Sequence, residues 1–324
     1  MPQNKDKYTF VVNTYPSEGR EVELARNLHS IFNQTYEHFE VLIVENYENL
    51  EIINPIIDKF ITRKQPIRVI SDSKKKLSYL FDIGWRNTNT ELLAYVADDV
   101  ELESGWLENV HNELTGGKET AVVTGPILSS CFPAGEMHRL YLISQKNLLY
   151  KVLAWPYLHF AMEDKVLLPG NLFESGAYSL GAAIPEAKGY KRQEIDLATT
   201  SSMGIRRSVL EEIDGFDQRF NFNHADGDLF IRIKKAGYKI IFTPNVVSHH
   251  HLRLGPSRNS YIIALDTGKY YRKHVRPKSI NGYIGAFLNV GLLNLYWVYN
   301  TIRTGDLRQL RGIMGFLIGI TKKT

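Results

Sequence analysis

The sequence predicts an α/β fold with a mostly parallel central sheet, followed by a C-terminal helical appendage. Two observations carry this. Short β-branched and aromatic runs alternate with segments of helical spacing from Tyr8 to Thr124, the pattern of βαβ units. Beyond Gly268 the composition shifts to basic residues and interrupted apolar stretches, with Asp306 the only acidic residue.

Tyr8 to Asn13 (YTFVVN) reads as the first strand. Glu21 to Asn33 then shows helical spacing through Val22, Ala25, Leu28, Ile31 and Phe32. Strands at Phe39 to Val44, Ile67 to Ser71, Leu92 to Val96 and Ala121 to Thr124 alternate with helices at Ile52 to Ile61, Leu77 to Asn87 and Trp106 to Leu114, the last closed by Gly116-Gly117. From about 126 to 197 the periodicity weakens between Pro133, Pro156, Pro169-Gly170 and Pro185, which predicts an irregular insertion. Order returns with Met203 to Ile213, where Arg206 and Arg207 open a helix. A further helix spans Asp228 to Ala236, and Lys239 to Phe242 forms a strand. The expected organisation is a main domain over 1–260 and a basic amphipathic tail over 261–324.

At 324 residues and 44% hydrophobic, the chain can bury a full core, and 23% charged residues argue against disorder. The single Cys131 cannot form an internal disulfide, and the polar start lacks a secretory signal, so a cytoplasmic setting is expected. A net charge of +4 is mild, and nucleic acid is not an expected partner.

Ligands of a doubly wound sheet sit beyond the carboxyl ends of its strands, where Thr14-Tyr15, Glu45 and Asp98-Asp99 fall. Adjacent carboxylates repel, so Asp98-Asp99 is costly unless a cation or a donor network occupies it. Mg²⁺ or Mn²⁺ held by one or two carboxylates plus phosphate oxygens satisfies the pair. An acidic turn in water is the alternative. His249, His250 and His251 follow a further strand region; from an extended segment His249 and His251 share a face.

The blocks VVNTYP, SIFNQTYEHFEVLIVE, ADDVEL, MGIRRSVLEEIDGFDQRF and HADGDLFIRIKKAGYKI, in this order, resemble the signature of family 2 glycosyltransferases over about residues 8–125 and 200–252. The resemblance implies a GT-A type nucleotide-binding domain that moves a sugar from a nucleotide-diphosphate donor (UDP, dTDP or GDP type) to an acceptor hydroxyl, with inversion. It implies Asp99 as metal ligand, Asp98 as ribose or phosphate contact, Asp226 as catalytic base, and Thr14, Tyr15 and Glu45 around the nucleotide base. His249 is the simplest match to a metal-ligating or diphosphate-contacting histidine. Departures are Ala97 and Ala225 at acidic positions, Glu45 for the usual Asp, and Asp82 for an Asn or Arg. Asp228 is expected as a helix cap, and Trp155, Tyr157 and Tyr178 as sugar-stacking or core residues. Lys74-Lys75-Lys76 reads as a solvated run rather than a phosphate contact.

The competing classes are a nucleotidyltransferase and a catalytically weak carbohydrate-binding relative. A glycan or lipid-linked acceptor is expected. The tail from about Ile280 is expected to lie on an anionic membrane surface without spanning it, its competing use being packing on the catalytic domain or a homodimer interface.

Overall fold

A computed structural model of the chain describes residues 6–14, 20–45, 53–72, 76–129, 136–179, 181–221, 223–251 and 259–322. In chain order its first elements are β1 (Tyr8–Thr14), α1 (Arg20–Phe32), β2 (Phe39–Glu45), α2 (Asn54–Ile57), β3 (Ile67–Ser71), α3 (Leu77–Arg86), β4 (Leu92–Ala97), β5 (Val100–Leu102), α4 (Trp106–Thr115), β6 (Thr120–Thr124) and β7 (Ile127–Leu128). Then come α5 (Glu136–Lys146), α6 (Leu148–Pro156), β8 (Gln193–Ile195), β9 (Ser202–Arg206), α7 (Arg207–Glu212), α8 (Ala225–Lys235), β10 (Lys239–Phe242) and β11 (Ser248–His250). The tail contributes α9 (Ser260–His274), α10 (Ile280–Thr304) and α11 (Arg311–Thr321).

The chain forms two compact units. The first takes residues 1–131, 182–218 and 229–252; the second takes 132–181, 219–228 and 253–324.

In the first unit an eight-stranded sheet runs β3-β2-β1-β4-β9-β6-β10-β8. β1 to β4 are mutually parallel and β6 is parallel to β10. All seven residues of β1 are buried, as a strand covered on both faces requires. Phe10, Leu28, Val41, Trp106 and Val110 lie in one apolar cluster that joins sheet and helices. A second sheet, β5-β11-β7, carries the histidine run.

The ordered stretch from Met203 to Ile213 divides in two. Its first part is strand β9, antiparallel to β4 and β6 between which it lies, and only Arg207–Glu212 is helical. Gly204 explains the fit. A Cβ there would meet Val110 Cγ1 at 2.2 Å, so helix α4 packs directly on the bare backbone.

The second unit collects α5, α6 and the tail. Buried Ala154, Tyr157, Leu158, Ala161 and Phe173 form its apolar cluster, with Leu140, Tyr141 and Leu288 packed against it. Helices α9 and α11 meet through glycines: a Cβ on Gly319 would lie 2.2 Å from Leu265 O, and one on Gly315 2.4 Å from Tyr261 O. The tail stretch from Ile280 is one continuous helix of 25 residues, its apolar run interrupted by Asn289, Asn294 and Asn300. Ser279 accepts from Gly282 N at its start, and Gly305 at φ +68° ends it. Its Asn289 is absorbed by hydrogen bonds with the Tyr157 and Tyr271 hydroxyls. Among the described residues no helix is long and apolar enough to cross a membrane.

Candidate active site

The parallel register aligns the ends of the first unit's central strands. Thr14 pairs with Glu45 at the ends of β1 and β2, and Asn13 with Ala97 at the end of β4. Asp98 follows directly, 2% exposed, and accepts a hydrogen bond from Thr14 Oγ1 at 2.6 Å. Glu45 is fully buried. The Ser71 hydroxyl donates to its Oε1, while its Oε2 finds no partner among the described residues. Burial pushes the Glu45 carboxyl above its usual range, against the opposing effect of Ser71.

Asp99 comes next, and the turn after β4 carries the chain into β5, which pairs antiparallel with β11. His250 Nε2 lies 3.1 Å from Asp99 Oδ1, and His251 N donates to Asp99 O at 2.8 Å. Alternation along the strand sends its neighbours elsewhere: His249 Nε2 lies 3.3 Å from Glu103 Oε1 and His251 Nε2 2.9 Å from Glu101 Oε2. The histidine on the acidic pair is therefore His250, between the two that share a face. A cavity of about 400 Å³ lined by Leu128, Ser129, Pro185, Lys188 and the three histidines opens beside it.

Among the described residues no three His, Cys, Asp or Glu side chains gather as a complete metal cage. The donor set still suits a divalent ion. One carboxylate and one imidazole, both partly buried, leave coordination positions for phosphate oxygens and water, as Mg²⁺ and Mn²⁺ sites do.

In the second unit Asp226 lies in the first turn of α8, half-buried, its Oδ1 accepting from Gly227 N at 2.8 Å. Burial pushes its carboxyl up, opposed by the backbone N–H donors. Tyr178, in the same unit, has its hydroxyl pushed up, first by desolvation and then by the Asp226 charge. Asp228 is not the cap that precedes the helix, because α8 begins at Ala225. It is fully buried, 2.6 Å from His274 Nε2 and also paired with Lys273. The segment before it is held by Asp266, whose carboxylate accepts from Asn221 N at 2.9 Å and Asn223 N at 3.2 Å. His224, at φ +58°, stacks on Tyr270 at 4.4 Å, and burial pushes its imidazole down to about 4. These partners on α9 carry no local sequence signal: Asp228 and His274 are 46 residues apart.

Other candidates resolve into structural roles. Asp82 accepts from Trp85 Nε1 at 2.8 Å, Arg86 Nε at 2.7 Å and Phe216 N at 3.1 Å. Arg206 caps carbonyls of Leu114 and Thr120, Arg207 pairs with Glu211, and Lys76 donates to Gln218 O. Tyr157 is core, whereas Trp155 is half-exposed on α6. Tyr15, Lys74, Lys75 and Cys131 lie outside the described residues.

Among solved structures the chain is similar to GalNAc-T7 with UDP, GalNAc and Mn²⁺, at 13% identity and a TM-score of 0.55 over 88% of this chain. It spans about half of that protein, 54%. It is similar also to the mannosyltransferase PcManGT from Pyrobaculum calidifontis in complex with GDP-Man and Mn²⁺ (13%, TM-score 0.56, 98% of this chain and 88% of that one). A third is S. aureus TarS 1–349 (10%, TM-score 0.54, 97% and 81%). At these identities the likeness is one of fold. No curated sequence matches the chain. The family model Glycosyl transferase family 2 matches residues 9–214, more than half of the chain. With that match on the same α/β frame, the chain belongs to glycosyl transferase family 2 and is a glycosyltransferase of GT-A type.

Proposed function

We propose that the chain transfers a sugar from a nucleotide-diphosphate donor to an acceptor hydroxyl, with inversion and with help from Mn²⁺ or Mg²⁺. The observation that carries this reading is the row Thr14, Glu45 and Asp98 on neighbouring strand ends, with Asp99 against His250 beside it. Glu45 Oε2 accepts an N–H of the nucleotide base, Tyr15 stacks on that base, and Asp98 contacts ribose or phosphate. Asp99 and His250 would hold the cation, whose chemistry when bound is to neutralise the departing diphosphate as a Lewis acid. His249, on Glu103, borders the same cavity and reaches diphosphate oxygens.

Asp226 takes the proton of the acceptor hydroxyl as that oxygen attacks the anomeric carbon. Its upward shift suits the role, because a carboxylate nearer to neutrality is a stronger base. The donor bond breaks on the opposite side, its electrons passing to the diphosphate oxygen, which gives inversion.

Two further parts of the reading concern setting. The lone Cys131 supports a reducing, cytoplasmic compartment. The tail from Ile280 lies on an anionic membrane surface, which would bring a lipid-linked acceptor to the enzyme. A panel of UDP-, dTDP- and GDP-sugars with Mn²⁺, Mg²⁺ or chelator tests the chemistry. Release of nucleoside diphosphate from at least one donor, lost with chelator, is expected; no release from any donor refutes it.

A further inference from the structure

Helix α6, LLYKVLAWP, is apolar except for Lys151 and the Tyr150 hydroxyl, yet Ala154 is its only buried residue. Leu148, Leu149, Val152 and Leu153 are 63–77% exposed, and Trp155 is 51% exposed. A helix with so little polar surface is ordinarily covered over most of its sides. Within the same unit, α10 turns Ile280, Tyr283, Phe287, Leu295, Tyr299 and Ile302 outward at helical spacing, each at least 58% exposed. Both helices border one apolar cluster, through Ala154 and Leu288.

The charge pattern says what covers them. From Leu140 to Ala161 there is no carboxylate, and the lysines are Lys146 and Lys151, both exposed. Helix α10 has no carboxylate either, and Arg303 is its single charge. An isologous contact with a second copy would set lysine-only patches against each other with nothing to pair them. Leucine and valine beside tyrosine and tryptophan, rimmed by lysine, match the boundary between acyl chains and anionic headgroups.

We propose that α6, with the outward face of α10, docks the protein on an anionic lipid bilayer. This rests on the tail docking proposed above and adds an element outside the tail, so the two can fail separately. Leu148, Leu149, Val152 and Leu153 enter the acyl boundary while Lys146 and Lys151 meet lipid phosphates.

Co-sedimentation of the full chain with phosphatidylcholine vesicles, with and without phosphatidylglycerol, tests it. Wild-type protein is expected on the anionic vesicles, with a blue shift in tryptophan emission that Trp155→Phe removes, since Trp85, Trp106 and Trp297 are buried. Leu149→Glu with Leu153→Glu should lower partition by roughly tenfold or more, and Lys146→Glu with Lys151→Glu should lower it on anionic vesicles. The lysine pair decides should the leucine pair misfold. Absence of wild-type binding overturns the proposal, as does unchanged binding by the folded leucine variant. A wild-type dimer that the leucine variant splits, with no vesicle binding, overturns it in favour of a second copy. Loss of binding on removing apolar groups from α10 (Phe287→Glu), with the leucine variant unaffected, confines docking to the tail and overturns the role of α6. The readout needs no turnover, so it stands apart from the donor panel.

Discussion

At the scale of residues, the contact between Asp99 and His250 separates three adjacent histidines that composition treats alike. Removing the carboxylate removes the one charged donor, so Asp99→Ala should abolish metal-dependent binding of a nucleoside diphosphate. His250→Ala should weaken it by about 10-fold to 100-fold, and His249→Ala by less. Calorimetric titration of UDP and GDP with Mn²⁺ checks the order; equal losses at His249 and His250 would contradict it. Asp226→Asn should lower turnover by about 10² or more while donor affinity stays near wild type. The folded Asp226 carboxyl titrates above its unfolded value, so its contribution to stability is present at low pH and lost as pH rises through the folded value. The Asn variant should accordingly unfold no earlier than wild type above pH 7, and the acidic limb of wild-type turnover should sit above the ordinary aspartate range. Urea titration and a pH–rate profile measure both.

At the scale of elements, period-2 and period-3.6 patterns made the parallel half of the sheet legible, because strands buried on both faces are dense apolar runs. Ser202–Arg206 escaped because its central Gly204 contributes no side chain to the pattern, and its meaning lies in the close approach of α4. Thr14, Glu45 and Asp98 were legible as strand ends, a property of local sequence. The pairing of His250 with Asp99 was not, since it depends on the register between β5 and β11. Asp228 misled for a related reason: an acidic residue near a helix start reads as a cap, whereas its partners Lys273 and His274 come from α9. The glycine contact of α9 with α11 allows a test at this scale. Gly319→Leu forces a side chain into the Leu265 carbonyl and should destabilise the second unit by about 1–3 kcal/mol. Thermal unfolding followed by hydrogen exchange in α9 reads it; an unchanged midpoint would show that the helices can separate without cost.

For the whole molecule, the second unit is assembled from three separate stretches of chain, and its last stretch supplies the side chains that hold the segment of Asp226. A chain ending before Ser260 loses Asp266, Lys273 and His274 together. Such a truncation should fail to turn over a soluble acceptor, even where no membrane is involved, and should expose residues 219–228 to protease. Retained activity in the truncated chain would assign the tail to docking alone.

The same arrangement sets an order of events during synthesis. Asp228 leaves the ribosome 46 residues ahead of His274. At about 5–20 residues per second it waits for some seconds without that partner. The strand ends of β1, β2 and β4 emerge earlier still, β2 and β4 with their shared parallel partner β1 already present. A nascent chain can thus pair the strands that carry Thr14, Glu45 and Asp98 before His274 arrives to meet Asp228. A stalled or prematurely terminated chain would carry these paired strand ends with Asp228 still lacking its partners from α9.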